Sequence, residues 1–171
     1  FKYLLDNKNI EVIPIYSLIK FSKFKFIRYI KSFYLPFLFN KKYKDYDLIK
    51  QNQLLGSWVA IILKLISKKN LLIRTGYDMY KFSIEEKKNI FKKSLYYILT
   101  SISLRFADLY TVTSMSDLKF LKEVFKSRTV IKIRKNWVHI PPSTDIKKYN
   151  NKIICVGRLE PQKNYDLLIK N

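Results

Sequence analysis

The chain has 171 residues, 48% of them hydrophobic and only three of them glycine, which excludes a disordered or fibrous protein and allows a packed core. A formal net charge of +21 suits polyanions such as nucleic acid, acidic lipid headgroups or nucleotide phosphates, although an AT-rich coding bias explains the same charge without a specific partner. A single cysteine and a single histidine exclude a disulfide framework, disfavour a metal site and suit a reducing compartment.

The apolar runs bear on the location of the protein. No short charged region leads into an apolar run at Phe1, so no secretory leader is visible. The longest apolar runs, "WVAIILKLI" and "YYILTSISL", are too short and too interrupted to span a bilayer, and we predict that they are buried helices. We therefore expect a cytoplasmic protein.

Six short segments rich in Ile, Leu, Val and Tyr are predicted to be strands buried on both faces. In chain order they are Ile10–Ile15, Tyr46–Gln51, Asn70–Thr75, Asp108–Ser114, Thr129–Arg134 and Lys152–Gly157. Because strands alternate with helical segments on this scale, we predict an α/β protein with a Rossmann-like parallel sheet and crossover helices.

Three segments between the strands are predicted to be helices. Leu54–Ser67 is nearly all apolar, as suits a helix that packs on a sheet. Ile84–Phe106 has two glutamates in its first turn, which suit the positive N-terminus of a helix. Ser114, with Asp117 three residues later, is predicted to cap the third helix. In the second of these helices one face carries Phe91, Leu95, Ile98 and Ile102.

The chain is predicted to hold parts of two domains. Residues 1–137 contain five of the six predicted strands, residues 138–150 include two tandem prolines and are typical of a linker, and residues 151–171 begin a second domain. A doubly wound domain normally opens with a strand and a Gly-rich turn, and neither is present before Ile10. We therefore expect a fragment whose first domain lacks its first strand.

The loop after the sixth strand carries the candidate binding residues. Gly157 ends the strand, Arg158 lies at its carboxyl end, and Lys163 stands at the start of the next helix. Ligands of open α/β sheets bind at this edge, and a helix N-terminus with a guanidinium and an ammonium suits a diphosphate. The alternative is that both cations are ordinary surface charges beside a loop.

The stretch "KIICVGRLEPQKNYDLLIKN" resembles the strand, loop and helix that open the second domain of family 4 (group 1) retaining glycosyltransferases, which have the GT-B architecture. The stretches "ADLYTVTSMSDLKFL" and "NWVHIPP" are similar to other parts of the family. The resemblance implies that Arg158 and Lys163, next to Gly157, hold the diphosphate of a nucleotide-diphosphate-sugar donor. It also implies a saccharide or lipid-linked acceptor, a role in cell-envelope polysaccharide synthesis, and no metal or other cofactor.

Three departures from the family pattern leave the catalytic residues unassigned. Arg74-Thr75-Gly76 stands where many members have a histidine, and His139 replaces the usual aspartate. The paired glutamates that bind the donor's sugar and ribose lie beyond the end of this sequence in the family pattern, and Glu160 matches neither of them. We therefore expect the chain alone to bind donor poorly and to turn over little or nothing.

The segment Phe21–Lys44 mixes lysine and arginine with Phe, Tyr and Leu. Three interpretations stay open: a face that lies on an anionic membrane at the inner side of the cell, a plain buried helix that ends at Pro36, or, least favoured, a nucleic-acid binder. For the whole protein, the alternatives to sugar transfer are a membrane- or nucleic-acid-binding module without catalysis and a nucleotide-sugar epimerase of the same GT-B fold.

Overall fold

A computed structural model describes residues 12–136, which lie within one compact unit. Seven helices and four strands follow one another in this part of the chain. They are α1 (Ile15–Leu18), α2 (Lys25–Ser32), α3 (Leu35–Lys42), β1 (Leu48–Asn52), α4 (Ser57–Ser67), β2 (Asn70–Arg74), α5 (Met79–Glu85), α6 (Ile90–Phe106), β3 (Leu109–Val112), α7 (Met115–Phe125) and β4 (Val130–Ile133). Leu48 to Ile133 therefore alternates strands with helices, as the sequence predicts.

The four strands form one parallel sheet in the order β1-β2-β3-β4. Each neighbouring pair is joined by a helical crossover: α4 between β1 and β2, α5 and α6 between β2 and β3, and α7 between β3 and β4. The α/β class with an all-parallel sheet is confirmed, and four of the five strands predicted for the first domain are present within two residues of their predicted bounds.

The hydrophobic core lies between one face of the sheet and the helices. Alternate residues of the strands face it, since side chains of a strand point to opposite faces in turn. Helices α4, α6 and α7 pack on the same strand face and close the core from one side. The buried residues of this cluster are Ile49, Ala60, Ile61, Leu71, Ile73, Leu104, Ala107, Tyr110, Val112, Leu121 and Ile131.

The other face of the sheet is partly open, which corrects the expectation of strands buried on both sides. Leu48 and Val130, on the two outer strands, are 52% and 53% exposed. Lys50 and Lys132 on the same face are exposed too. Each outer strand therefore has one buried residue, Ile49 or Ile131, between exposed neighbours, because consecutive order places the crossover helices on one side only.

The predicted strand Ile10–Ile15 is wrong within the described residues. Residues 12–14 have no regular structure, and Ile15 begins the helical turn α1. Pro14 lies at the position before this turn. Proline has no N–H to donate to a sheet and is well tolerated at the start of a helix. Val12, at 63% exposure, also lacks the burial that a central strand requires.

The predicted helix Ile84–Phe106 is two helices, so its bounds were wrong. Helix α5 ends at Glu85, Lys87 adopts a left-handed conformation with φ of 49°, and Asn89 begins α6 by accepting a hydrogen bond from the backbone N–H of Lys92 at 3.0 Å. Glu85 and Glu86 consequently lie at the end of α5 rather than in the first turn of a long helix. The apolar pattern continues on both sides of residues 86–89, so it does not reveal that one helix ends there and that Asn89 caps the start of the next.

The apolar stripe of α6 faces solvent, which corrects the prediction that the run "YYILTSISL" is buried. Four stripe residues are exposed: Phe91 81%, Leu95 50%, Ile98 52% and Ile102 40%. The inward face carries the buried Thr100, Ser103 and Leu104 instead. The Ser103 hydroxyl donates to the Ser57 hydroxyl of α4 at 3.0 Å, so small residues bring the two helices together.

Helices α2 and α3 occupy the basic-aromatic segment. We expected a helix to end at Pro36. Instead, Pro36 lies in the first turn of α3, where proline is favourable. Leu35 and Pro36 are buried, whereas Phe26 and Phe37 are exposed. The interpretation of this segment as one plain buried helix is therefore wrong.

The orientation of α6 makes a prediction about stability. Leu104→Ala should lower the free energy of unfolding by about 2–5 kcal/mol, because Leu104 is 1% exposed and its loss leaves a cavity. Leu95→Ala, in the same helix at 50% exposure, should change it by less than about 0.5 kcal/mol. Urea denaturation measures both values. A larger loss for Leu95→Ala would show that the stripe, rather than Leu104, packs on the core.

Candidate functional site

The sequence-predicted donor site lies outside the described residues. Gly157, Arg158 and Lys163, and with them His139 and Cys155, belong to the part of the chain of which the structure describes nothing. Their assignment to a donor diphosphate stays a prediction. The structure does describe the carboxyl edge of the sheet in residues 12–136, which is where ligands of open α/β sheets bind.

The loop from β1 to α4 is held by one side chain. The Gln51 amide donates to the carbonyl oxygens of Asn52, Gln53 and Leu55 at 3.2, 3.1 and 3.3 Å. Gly56, at φ of 87°, turns the chain into α4 and offers no side chain to cap the helix. The loop therefore has a defined shape and an uncapped helix start beside the edge of the sheet.

The loops after β2 and β3 are tied to each other. The Thr113 hydroxyl donates to the Gly76 carbonyl at 2.6 Å. Asp78 caps α5 by accepting from the Lys81 backbone N–H at 2.7 Å. The Lys81 ammonium lies 3.3 Å from a carboxylate oxygen of Asp117 in α7. These contacts place the starts of α5 and α7 next to each other.

The predicted cap of α7 is confirmed. The Ser114 hydroxyl oxygen accepts from the Asp117 backbone N–H at 3.1 Å, and the hydroxyl donates to an Asp117 carboxylate oxygen at 2.8 Å. Because the Lys81 ammonium also donates to Asp117, this residue of the first turn of α7 serves both the cap and the link between the two loops.

A small buried polar cluster lies beneath these loops. Thr75 is 2%, Asp78 1% and Tyr110 0% exposed. One oxygen of Asp78 and the hydroxyls of Thr75 and Tyr110 have no hydrogen-bond partner in the described part of the chain. Burial raises the pKa of the Asp78 carboxyl, and the nearby carboxylate of Asp117 raises it further. Burial likewise raises the pKa of the Tyr110 hydroxyl.

A cavity of about 340 Å³ opens where α2 faces the start of α4. The Trp58 indole N–H donates to the Ser32 hydroxyl at 2.9 Å and holds the two helices together. Cations and aromatic rings therefore line one cavity next to an uncapped helix start, an arrangement that suits a phosphate or another anion. Its lining residues are Lys25, Arg28, Tyr29, Ser32, Leu55, Gly56 and Trp58.

Arg74 occupies the position where the resemblance leads one to expect a histidine. It ends β2 on the partly open face of the sheet, in register with Asn52 and Thr111, and Thr111 is in register with Lys132. Its guanidinium donates to the side-chain oxygen of Asn136 at 3.0 Å. Arginine stays charged at all relevant pH values, so this position supplies positive charge and cannot act as a general base.

A second cavity, of about 550 Å³, lies at the amino edge of the sheet. It is lined by Arg105 and Arg128 together with the hydroxyl residues Ser101, Ser127 and Thr129. Arg105 lies in the last turn of α6, where a cation is favourable beside the free carbonyl groups of the helix. This interaction with the helix C-terminus explains the position of Arg105, so the cavity is not evidence for a bound ligand.

Sequence reasoning missed the 340 Å³ cavity. The sequence shows the basic-aromatic segment but does not show which residue packs against α2, because Trp58 and Ser32 are 26 residues apart. A tryptophan near the start of an otherwise aliphatic helix was the available signal, since its indole N–H needs a partner when it is partly buried. Within residues 12–136, no group of three or more His, Cys, Asp or Glu side chains is arranged to hold a metal.

The buried carboxyl of Asp78 makes a prediction about pH. Its pKa is raised above the ordinary value of 3.8, so the folded state holds this proton more tightly and the contribution of Asp78 to stability falls as pH rises through the window above 3.8. Asp78→Asn still caps α5 and cannot ionise. Its stability relative to wild type should therefore increase as pH rises through this window.

Urea midpoints measured across this pH window test the prediction. The exposed Asp47 supplies the control, because Asp47→Asn should keep the wild-type pH profile. A stability difference between Asp78→Asn and wild type that does not change with pH would contradict the role of burial.

Comparison with known proteins adds no assignment. The topology of residues 12–136 shows the α/β parallel-sheet class, and the relation to family 4 glycosyltransferases remains a prediction from the sequence. No family model, curated protein or solved structure matches the chain.

Proposed function

We propose that the chain is part of a retaining glycosyltransferase of GT-B architecture that moves a sugar from a nucleotide-diphosphate sugar to a saccharide or lipid-linked acceptor. The observation that carries the proposal is the sequence of the stretch Lys152–Asn171, in which a predicted apolar strand is followed by Gly157-Arg158-Leu159 and by Lys163 at the start of a predicted helix. The α/β unit before it supports the proposal, because a GT-B protein requires a parallel-sheet domain at that place.

The donor would be bound through its diphosphate. Arg158 offers a planar fork of N–H donors, and Lys163 offers an ammonium. Both would stabilise the negative charge that develops on the diphosphate as the bond to the sugar breaks. Sugar transfer of this kind needs no metal ion when protein cations supply that charge.

The acceptor would be bound by the first unit. The 340 Å³ cavity lies at the carboxyl edge of the sheet, and Lys25 and Arg28 give it a positive charge. A phosphate of a lipid-linked saccharide suits these cations, while Tyr29 and Trp58 offer flat apolar surface with polar edges. Such an acceptor places the protein at the inner surface of a membrane. No helix within residues 12–136 combines the length and the hydropathy that crossing a bilayer requires.

One observation favours a second candidate, a membrane-attachment module without catalysis. Phe24 and Phe26 of the basic-aromatic segment are 71% and 73% exposed, which a transferase does not need for its chemistry. Attachment and transfer are compatible in one protein. They differ in that membrane binding by a module survives Arg158→Ala, whereas donor binding does not.

The proposed donor site predicts weak but specific binding of a nucleoside diphosphate. In an NMR titration of the 171-residue chain with uridine diphosphate or inorganic pyrophosphate, the amides of residues 157–164 should shift. Arg158→Ala or Lys163→Ala should weaken binding about tenfold or more, because a hydrogen bond to a charged group contributes about 1.5–3 kcal/mol.

The high net charge makes a matched control necessary. Lys152→Ala removes the lysine at the far end of the predicted strand Lys152–Gly157 from Arg158, and its binding should stay within about twofold of wild type. If Lys152→Ala weakens binding as much as Arg158→Ala does, the interaction is non-specific and the donor site is wrong.

A further inference from the structure

Helix α2 has its apolar side turned to solvent. Residues Phe26, Ile30 and Phe33 are spaced four and three apart, and they are 73%, 56% and 51% exposed. The Phe33 ring also stacks on Trp58, with the ring centroids 5.9 Å apart, so Phe33 is only partly turned to solvent. The stripe continues on α3 at Phe37, which is 51% exposed. Since helical neighbours three and four residues apart share a face, these side chains form one exposed surface, named here the outer face.

The polar side of α2 is turned toward the protein. Arg28, Lys31 and Ser32 are less exposed than the apolar residues between them. The Lys31 ammonium donates to the Lys20 carbonyl at 2.8 Å, and Ser32 accepts from Trp58 at 2.9 Å. The amphipathic helix is therefore reversed relative to an ordinary surface helix, whose apolar side faces the core.

The surroundings of the outer face carry one sign of charge. From Val12 to Lys44 the sequence contains no aspartate or glutamate. The cations of this stretch are Lys20, Lys23, Lys25, Arg28, Lys31, Lys41, Lys42 and Lys44. Apolar side chains next to long cationic ones are typical of a helix that lies in the interface of an anionic bilayer, with the ammonium groups at the headgroups.

We propose that the outer face of α2 and α3 lies on the surface of a bilayer that contains anionic lipid. A second copy of the chain suits this face less well, because a two-fold contact would bring two sets of like charges together. Nucleic acid would use the aromatic rings for stacking but would leave the aliphatic Ile27 and Ile30 without a partner. This inference concerns attachment and holds whether or not the chain belongs to a transferase.

Vesicle co-sedimentation tests the proposal. The chain should bind phosphatidylcholine vesicles that contain phosphatidylglycerol and should bind pure phosphatidylcholine vesicles at least about tenfold more weakly. The double variant Phe26→Ser/Ile30→Ser should lose about tenfold or more in affinity for the anionic vesicles, because the apolar groups that enter the interface are gone.

Helix α6 supplies a matched control. Phe91→Ser/Leu95→Ser changes the same kinds of residue at the same spacing, at 81% and 50% exposure, but on the stripe that follows Glu85 and Glu86. Its vesicle affinity should stay within about twofold of wild type. All four positions are exposed, so both double variants should keep the wild-type urea midpoint.

The cationic rim can be tested separately. Lys41→Gln/Lys42→Gln removes two exposed cations next to the outer face, and each should cost about fivefold in affinity for anionic vesicles. Lys119→Gln/Lys122→Gln removes two exposed cations of α7 and should have little effect. Equal losses in the two variants would reduce the interaction to overall net charge and overturn the proposal.

Three other outcomes would also overturn it. They are equal binding to both vesicle types, wild-type vesicle binding by Phe26→Ser/Ile30→Ser, and self-association without vesicles that this variant abolishes. In the last case the outer face is an interface between two copies. If the variant loses affinity for a single-stranded oligonucleotide but not for vesicles, the partner is a nucleic acid.

Discussion

The contact between one face of the parallel sheet and helices α4, α6 and α7 is the constraint on which the structure depends. Leu71, Ile73 and Tyr110 are fully buried in it, and burial of apolar surface is the main favourable term in folding. Because the four strands are parallel, their carboxyl ends and the loops after them meet at one edge of the sheet. The Gln51 loop, the 340 Å³ cavity and the Asp78 cluster lie at this edge, and the core contact holds the strands that position them.

The sequence predicts the central α/β alternation well, because strands and helices there bury apolar residues in a regular period. It fails where a local contact competes with that period. Asn89 starts a new helix inside a continuous apolar pattern, and Pro14 removes a strand that composition alone favours. The burial of α6 was misjudged for a related reason. The periodicity locates a stripe on a helix but does not say whether that stripe or the small residues opposite it face the core.

The candidate functional residues also fall into two groups, those that a local motif predicts and those that depend on contacts between distant parts of the chain. Gly157, Arg158 and Lys163 are predicted from a local motif and lie outside the described residues, so the structure leaves that prediction as it was. The 340 Å³ cavity could not be predicted, because it depends on a contact between Ser32 and Trp58 that connects distant parts of the chain. Arg74 could be predicted only in part. Its position at the end of a strand follows from the sequence, but its hydrogen bond to Asn136 requires the sheet to be assembled.

Helix α2 contributes to both the cavity and the outer face, because its polar side lines the cavity and its apolar side is exposed. An amphipathic pattern determines that polar and apolar residues separate, and it does not determine which side faces the protein. Here the indole N–H of Trp58 donates to Ser32 on the polar side of α2, and the Lys31 ammonium of the same side donates to the Lys20 carbonyl. Once the polar side is held inward, Lys25 and Arg28 line the cavity and Phe26 and Ile30 must point out. The cavity and the outer face thus belong to two sides of one helix, so a ligand that enters the cavity does so beside the face that we propose lies on the membrane.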